Sequence, residues 1–254
     1  MTAWHEGRLV AFDIETTGTD LEEARIVTAA IAVCGGGVET ETLALMADPG
    51  VEIPDEAAAV HGVTTERAQA EGKPARDVVS AVVEALRAYT AGGAPIVAFN
   101  ARFDLTILDR EARRWELEPL VIRRVVDPLV IDKHLHRYRR GSRKLDAQAI
   151  HYGAELELAH DAAADAIAAA RVAWCIGKRG EVIRRVRGKD EAIEKASLVR
   201  EWERVRHDID ALHAAQVRWA AEQAASLEDY FRQKGTLEAP VERAWPVVPV
   251  SVTA

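Results

Sequence analysis

Apolar residues along this chain recur with a period of two in some stretches and near 3.6 in others, and the switching between the two outlines a fold. The run Arg8 to Ile14 is apolar almost throughout, as a strand covered on both faces would be. Ile26 to Val33 and Val38 to Met46 read as two more strands, and Gly35-Gly36-Gly37 between them predicts an antiparallel hairpin. A loop holding Pro49 and Pro54 then leads to a helix start at Ala59 to Glu66, with Thr64 as its N-cap. Helical spacing over Ala75 to Tyr89 predicts a helix ended by Gly92-Gly93. A fourth strand is expected at Pro95 to Phe99, a helix at Arg102 to Trp115, and a fifth strand near Val125 to Asp127, where VVDPLVI looks strand-like. Two helices follow and carry the chain to Trp174. An opening meander, then strands alternating with helices, predicts an α/β class: a mixed five-stranded sheet flanked by helices.

Beyond about residue 188 the pattern changes. Leu198, Trp202, Val205, Ile209, Leu212, Gln216 and Trp219 follow alternating steps of four and three, a heptad-like seam that continues weakly through Gln223 and Ser226 to Tyr230. Ser197 and Asp190 are the available caps. A hairpin folded back on the α/β domain would cover the seam, and so would a protein-binding or dimerising arm; self-association is the expectation preferred here. The organisation expected is a domain over 1–188, a helical extension over 189–237, and a flexible tail over 238–254, which holds Pro240, Pro246 and Pro249.

Chemistry concentrates where apolar elements end. Asp13 and Glu15 stand two apart on the first strand and so project from one face. Paired carboxylates repel unless a cation sits between them, and an all-oxygen set suits Mg²⁺ or Mn²⁺ rather than zinc. The strand at Ile96 to Phe99 runs into Asn100, and Asp104 lies near the first turn of the next helix. His160 stands just before a third helix, with Asp165 inside it. Each group has a plain alternative. Asp104 could cap its helix, Asp161 reads as a cap or first-turn acid, and His160 could be a surface histidine.

Taken in order, Asp-x-Glu, Asn-x3-Asp and His-x4-Asp resemble the three motifs of the DEDDh exonucleases, the proofreading 3′–5′ enzymes akin to the epsilon subunit of bacterial DNA polymerase III. The likeness runs over about residues 7 to 175. It implies a ribonuclease H-like fold, with Asp13, Glu15, Asp104 and Asp165 as metal-binding carboxylates and His160 as general base. The residue four before Asp165 is Asp161 and not Tyr, which favours the histidine subclass. Two ions roughly 4 Å apart would then activate water and stabilise the leaving 3′ oxygen. The resemblance further implies that His61 and Val63 of the His-Gly-Val-Thr loop touch the terminal nucleotide, with Asn100, Phe103 and Thr16 assisting. The expected product is a nucleoside 5′-monophosphate released from a 3′ end, single-stranded DNA being favoured. RNA trimming of the RNase T or oligoribonuclease kind, and a catalytically idle polymerase-associated adaptor, are the alternatives.

Composition fits a globular protein of 254 residues with 48% hydrophobic and 29% charged residues. No run approaches 18 uninterrupted apolar residues, and Met1 to Gly7 is no signal peptide. Cys34 and Cys175 have no zinc-type spacing. The cytoplasm is the expected compartment. A net charge of −8 looks wrong for a nuclease until its distribution is considered. Lys133 to Lys144 gathers Arg137, Arg139, Arg140, Arg143 and Lys144, and Arg139, Arg140 and Arg143 are expected beside the nucleic-acid backbone. A second basic run, Lys178 to Lys189, reads as the outer face of a long helix.

Overall fold

One mixed sheet organises the chain, in the strand order β4-β3-β2-β1-β5-β6. The structure, a computed structural model, describes residues 3–155, 161–179, 189–237 and 239–250. Strands β1 (Arg8–Thr16), β2 (Ile26–Gly35) and β3 (Glu41–Asp48) form the antiparallel meander. Gly35, Gly36 and Gly37 turn the hairpin at φ between 65° and 80°, and a Cβ on Gly35 would come 2.7 Å from the Gly7 carbonyl oxygen. Two short helices, α1 (Asp55–His61) and α2 (Thr65–Glu71), follow. Thr64 caps α2 as expected, accepting from the Arg67 N–H, whereas α1 occupies a stretch expected as loop. Then come β4 (Lys73–Pro74), α3 (Ala75–Thr90), β5 (Ile96–Val97), α4 (Ala101–Arg114) and β6 (Val125–Val126). The remainder is helical: α5 (Pro128–Leu135), α6 (Leu145–Tyr152), α7 (Ala162–Arg179), α8 (Lys189–Val205) and α9 (Ile209–Lys234).

The expected class holds, with a sixth strand added. β4 is a two-residue edge that pairs with Ala47 and Asp48, too short to carry any periodicity. β5 and β6 run parallel to β1, so Leu9 to Phe12 lie inside the sheet, all 2% exposed or less. VVDPLVI is not a strand throughout. Only Val125–Val126 pair; Asp127 then accepts from the Leu129 N–H and Pro128 opens α5, a helix start in which proline's missing N–H is no loss.

From Trp202 to Trp219 the seam of the last helices is covered by this chain, as a hairpin folded back on the α/β domain would cover it. Trp202, Leu212 and Trp219 are at most 1% exposed and belong to the same apolar core as β1. α9 packs on α5 and β6, with the Trp219 ring stacked on His134 at 3.9 Å. Gln216, a polar residue within the seam, donates to the Val125 carbonyl at 2.8 Å and accepts the Asp127 N–H at 2.7 Å. The described part of the segment expected as a loose tail lies against the domain. Residues 239–250 run along α4, where Arg102 donates to the Glu242 carbonyl, the Val248 N–H to the Thr106 hydroxyl, and Arg110 to the Pro249 carbonyl, one helical turn apart each time. Trp245 is 6% exposed in that segment.

Candidate active site

Packing of α7 on β1 brings three carboxylates together at one end of β1. Ligand oxygens of Asp13, Glu15 and Asp165 all lie within 4.8 Å of one another. The β1–β2 register shifts between Glu15 and Thr16, an irregularity of the kind that re-aims side chains at a strand's end. Asp165 comes from the first turn of α7, whose start Asp161 caps by accepting the Ala163 N–H at 2.9 Å. Asp104 is buried in the first turn of α4 and accepts the Ile14 N–H at 3.2 Å, between Asp13 and Glu15 in sequence. His160 lies outside the described residues.

The electrostatics follow from crowding. Burial raises the Asp13 carboxyl well above the usual range, and the charges of Asp104, Glu15, Asp165 and Asp161 push it further. Asp104 moves the same way through burial, although backbone N–H donors oppose the shift. Glu15 rises from an ordinary 4.5 to about 7, by burial and then by Asp165 and Asp161. Such a set of oxygens fits a hard divalent cation, which would relieve all three shifts at once. Because the folded-state value of Glu15 lies above the unfolded one, the folded chain binds its proton more tightly, and that stability is lost as pH rises from 4.5 to about 7. Without metal, the melting temperature of wild type minus that of Glu15→Gln is therefore expected to fall between about pH 5 and pH 8. Added Mn²⁺ should restore it chiefly at the higher pH, which scanning calorimetry checks.

A second cluster, of one aspartate and two histidines, has a different character. Asp132, His136 and His151 also lie within 4.8 Å of one another. Asp132, however, is wholly buried and accepts from Arg139 at 3.1 Å, from Arg143, and from the Tyr152 hydroxyl at 2.8 Å. Two guanidinium groups already neutralise it and disfavour a cation. They also answer the expectation for the basic segment: Arg139 and Arg143 turn inward to Asp132, and Arg140 alone of the three stays exposed.

Around the carboxylates the other expected residues divide. Thr16, His61 and Phe103 line one cavity of about 580 Å³ with Glu15. His61 and Val63 line a smaller one of about 280 Å³ with Glu15 and Asp161. Val63 is 3% exposed and packs with Val27, Ile53 and Ala68, so its first role is core. Asn100 is exposed, at φ 63°, and lines neither cavity. Its backbone is the informative part. With no cap from its own side chain, the start of α4 is held by Asp127, which accepts from the Asn100 N–H at 3.1 Å and the Ala101 N–H at 3.0 Å. Trp245 donates to the same carboxylate at 3.3 Å. Sequence reading missed this support for Asp104; the Asp-Pro step was the legible signal for Asp127, and Trp245 had none.

A sheet that gathers Asp13, Glu15, Asp104 and Asp165 at one end is that of a DEDDh-type exonuclease. The chain belongs to the exonuclease family, whose RNase T profile matches residues 10–173. Among solved structures it is similar to a moderately thermophilic Exonuclease I from Methylocaldum szegediense, at 24% identity and a TM-score of 0.52, over 74% of this chain and 44% of that one. It is similar also to E. coli Exonuclease I in complex with a dA16 oligonucleotide, at 20% identity and a TM-score of 0.51, over 68% and 41%. The likeness is one of fold, and the chain spans less than half the length of those structures. No curated protein matches.

Proposed function

We propose that this chain is a divalent-metal-dependent 3′–5′ exonuclease that shortens single-stranded ends, DNA in preference to RNA, with release of nucleoside 5′-monophosphates. The observation that supports this most is the convergence of Asp13, Glu15 and Asp165 within 4.8 Å, with Asp104 anchored alongside. Asp13, Glu15 and Asp165 would hold one Mg²⁺ or Mn²⁺, and Asp104 with Asp13 a second. When bound, the ions would acidify the attacking water and neutralise charge on the phosphate. His160 would take the proton of that water; a bond from its oxygen to phosphorus forms as the bond to the 3′ oxygen breaks. Thr16, His61 and Phe103, around the cavity beside Glu15, would seat the terminal nucleotide. A DNA substrate is in keeping with the dA16 strand bound by E. coli Exonuclease I. Free 3′ ends of this kind arise in proofreading and repair. Among the described residues no helix is long and apolar enough to cross a membrane.

The test uses 5′-labelled DNA and RNA of equal sequence, with Mg²⁺, Mn²⁺ or EDTA. A ladder of 3′-shortened products that EDTA abolishes is expected, faster on DNA. His160→Ala should lose most of the rate yet keep the rise in melting temperature that Mn²⁺ gives, since a base moves protons and holds no ion. The wild-type rate should fall at low pH, because a protonated imidazole cannot take the water's proton. Loss of the Mn²⁺ response in His160→Ala would make that residue a ligand or a structural group.

A further inference from the structure

The last helices do more than cover the core. Between the end of α5 and the middle of α9 lies a groove of about 430 Å³, lined by Lys133, Arg137 and Tyr138 on one side and by Glu222, Ser226 and Tyr230 on the other. Both tyrosines are open to solvent, Tyr138 at 68% and Tyr230 at 53%. Each ring has a cation beside it. The Arg137 guanidinium is 5.7 Å from the Tyr138 ring centre and the Lys234 ammonium 5.8 Å from that of Tyr230. Arg137 also donates to the Ser226 hydroxyl at 3.0 Å, which ties the two walls together. Glu222 is the acid among the lining residues, against Lys133 and Arg137, the lining Arg143 being already paired with Asp132. In a chain of net charge −8 this is a local reversal of sign. Lys133, at one end, is close enough to Arg102 and Asp127 to feel their charges, and those residues sit at the start of the helix that carries Asp104.

Exposed aromatic rings interleaved with cations suit single-stranded nucleic acid, whose bases stack on the rings while its phosphates meet the cations. We propose that this groove carries the strand on the 5′ side of the cleaved end, with Tyr138 and Tyr230 as stacking faces and Lys133 and Arg137 as phosphate contacts. The assignment rests on the exonuclease reading above and adds a second binding region, contributed in part by α9. A groove of this kind lets a globally acidic enzyme hold a long strand without a basic surface, and it makes affinity depend on strand length.

The experiment compares two substrates, a labelled 20-mer of DNA and the p-nitrophenyl ester of thymidine 5′-monophosphate, which is too short to reach the groove. In Tyr138→Ala/Tyr230→Ala the KM for the 20-mer should rise at least about thirtyfold, a factor of about five or more for each lost stack, with the ester cleaved at the wild-type rate. Tyr138→Phe/Tyr230→Phe should restore the low KM, because stacking needs the ring and not the hydroxyl. Lys133→Gln/Arg137→Gln should raise the same KM and flatten its dependence on salt. An unchanged KM for the 20-mer, or equal losses on both substrates, overturns the assignment. A wild-type chain inert on both substrates would instead refute the exonuclease reading itself, so the two failures are distinguishable.

Discussion

Asp13→Ala is expected to lower exonuclease turnover by several orders of magnitude while the metal-free protein melts no lower than wild type. Both halves follow from one arrangement. Asp13 lies within ligand distance of Glu15 and Asp165, and Asp104 adds its charge to the same carboxyl, so its removal takes away the group best placed to be shared between two cations. The same removal relieves repulsion in a cluster whose members raise one another's pKa, which favours the folded state when no ion is present. Asp104→Asn separates charge from structure at the neighbouring position. The amide oxygen can still accept the Ile14 N–H that Asp104 accepts at 3.2 Å, so α4 stays tied to β1 and only the anion is lost. A comparable fall in rate is expected there, with a metal-free melting temperature no lower than wild type, read by oligonucleotide cleavage and calorimetry side by side. An Asp13→Ala protein that cleaves at a near-normal rate would remove Asp13 from the chemistry.

What the sequence made legible was whatever repeats locally. Leu9 to Phe12 announce a strand covered on both faces because every residue is apolar, and the spacing within Ala75 to Tyr89 announces α3 because one face of a helix must be. The carboxylates were legible because each ends an element, and order along the chain placed them on the motif. Contacts between distant residues left no such trace. Nothing local says that Asp127 will hold the Asn100 and Ala101 N–H groups, or that Trp245, among prolines, will donate to it. Arg139 and Arg143 looked like surface charge because a buried partner, Asp132, cannot be told from an exposed one in sequence. The four-three seam was legible as apolar, yet its spacing is the same whether the covering surface is β6 and α5 or another chain.

That ambiguity is what the second large effect addresses. A chain ending at Gly188 is expected to aggregate, or to unfold without a cooperative transition. It would lack Trp202, Val205, Leu212, Trp219 and Trp245, each at most 6% exposed in the core. Burying one large apolar side chain contributes about 1.5–3 kcal/mol, so the five together supply roughly 10 kcal/mol, as much as a whole domain's usual stability of about 5–15 kcal/mol. Their loss would also uncover Val125, Val126 and Ile131, which are fully buried in the intact chain. The polar consequences run in the same direction. The Asp127 N–H would lose the Gln216 oxygen at 2.7 Å, and the carboxylate that holds the start of α4 would lose Trp245. A buried donor left without a partner costs about 1–3 kcal/mol, and here it lies on the element that positions Asp104. Two gentler variants keep the experiment interpretable if the truncated chain cannot be purified. Trp219→Ala should destabilise by about 3–5 kcal/mol through the cavity it leaves beside His134. Gln216→Ala should lower the melting temperature less but reduce turnover more than its stability loss explains, because it loosens Asp127. Light scattering of the full chain should give a monomer mass. A truncated protein that remains soluble, melts cooperatively and cleaves short substrates, together with a dimeric full-length chain, would return the seam to a partner and separate the last helices from the active site.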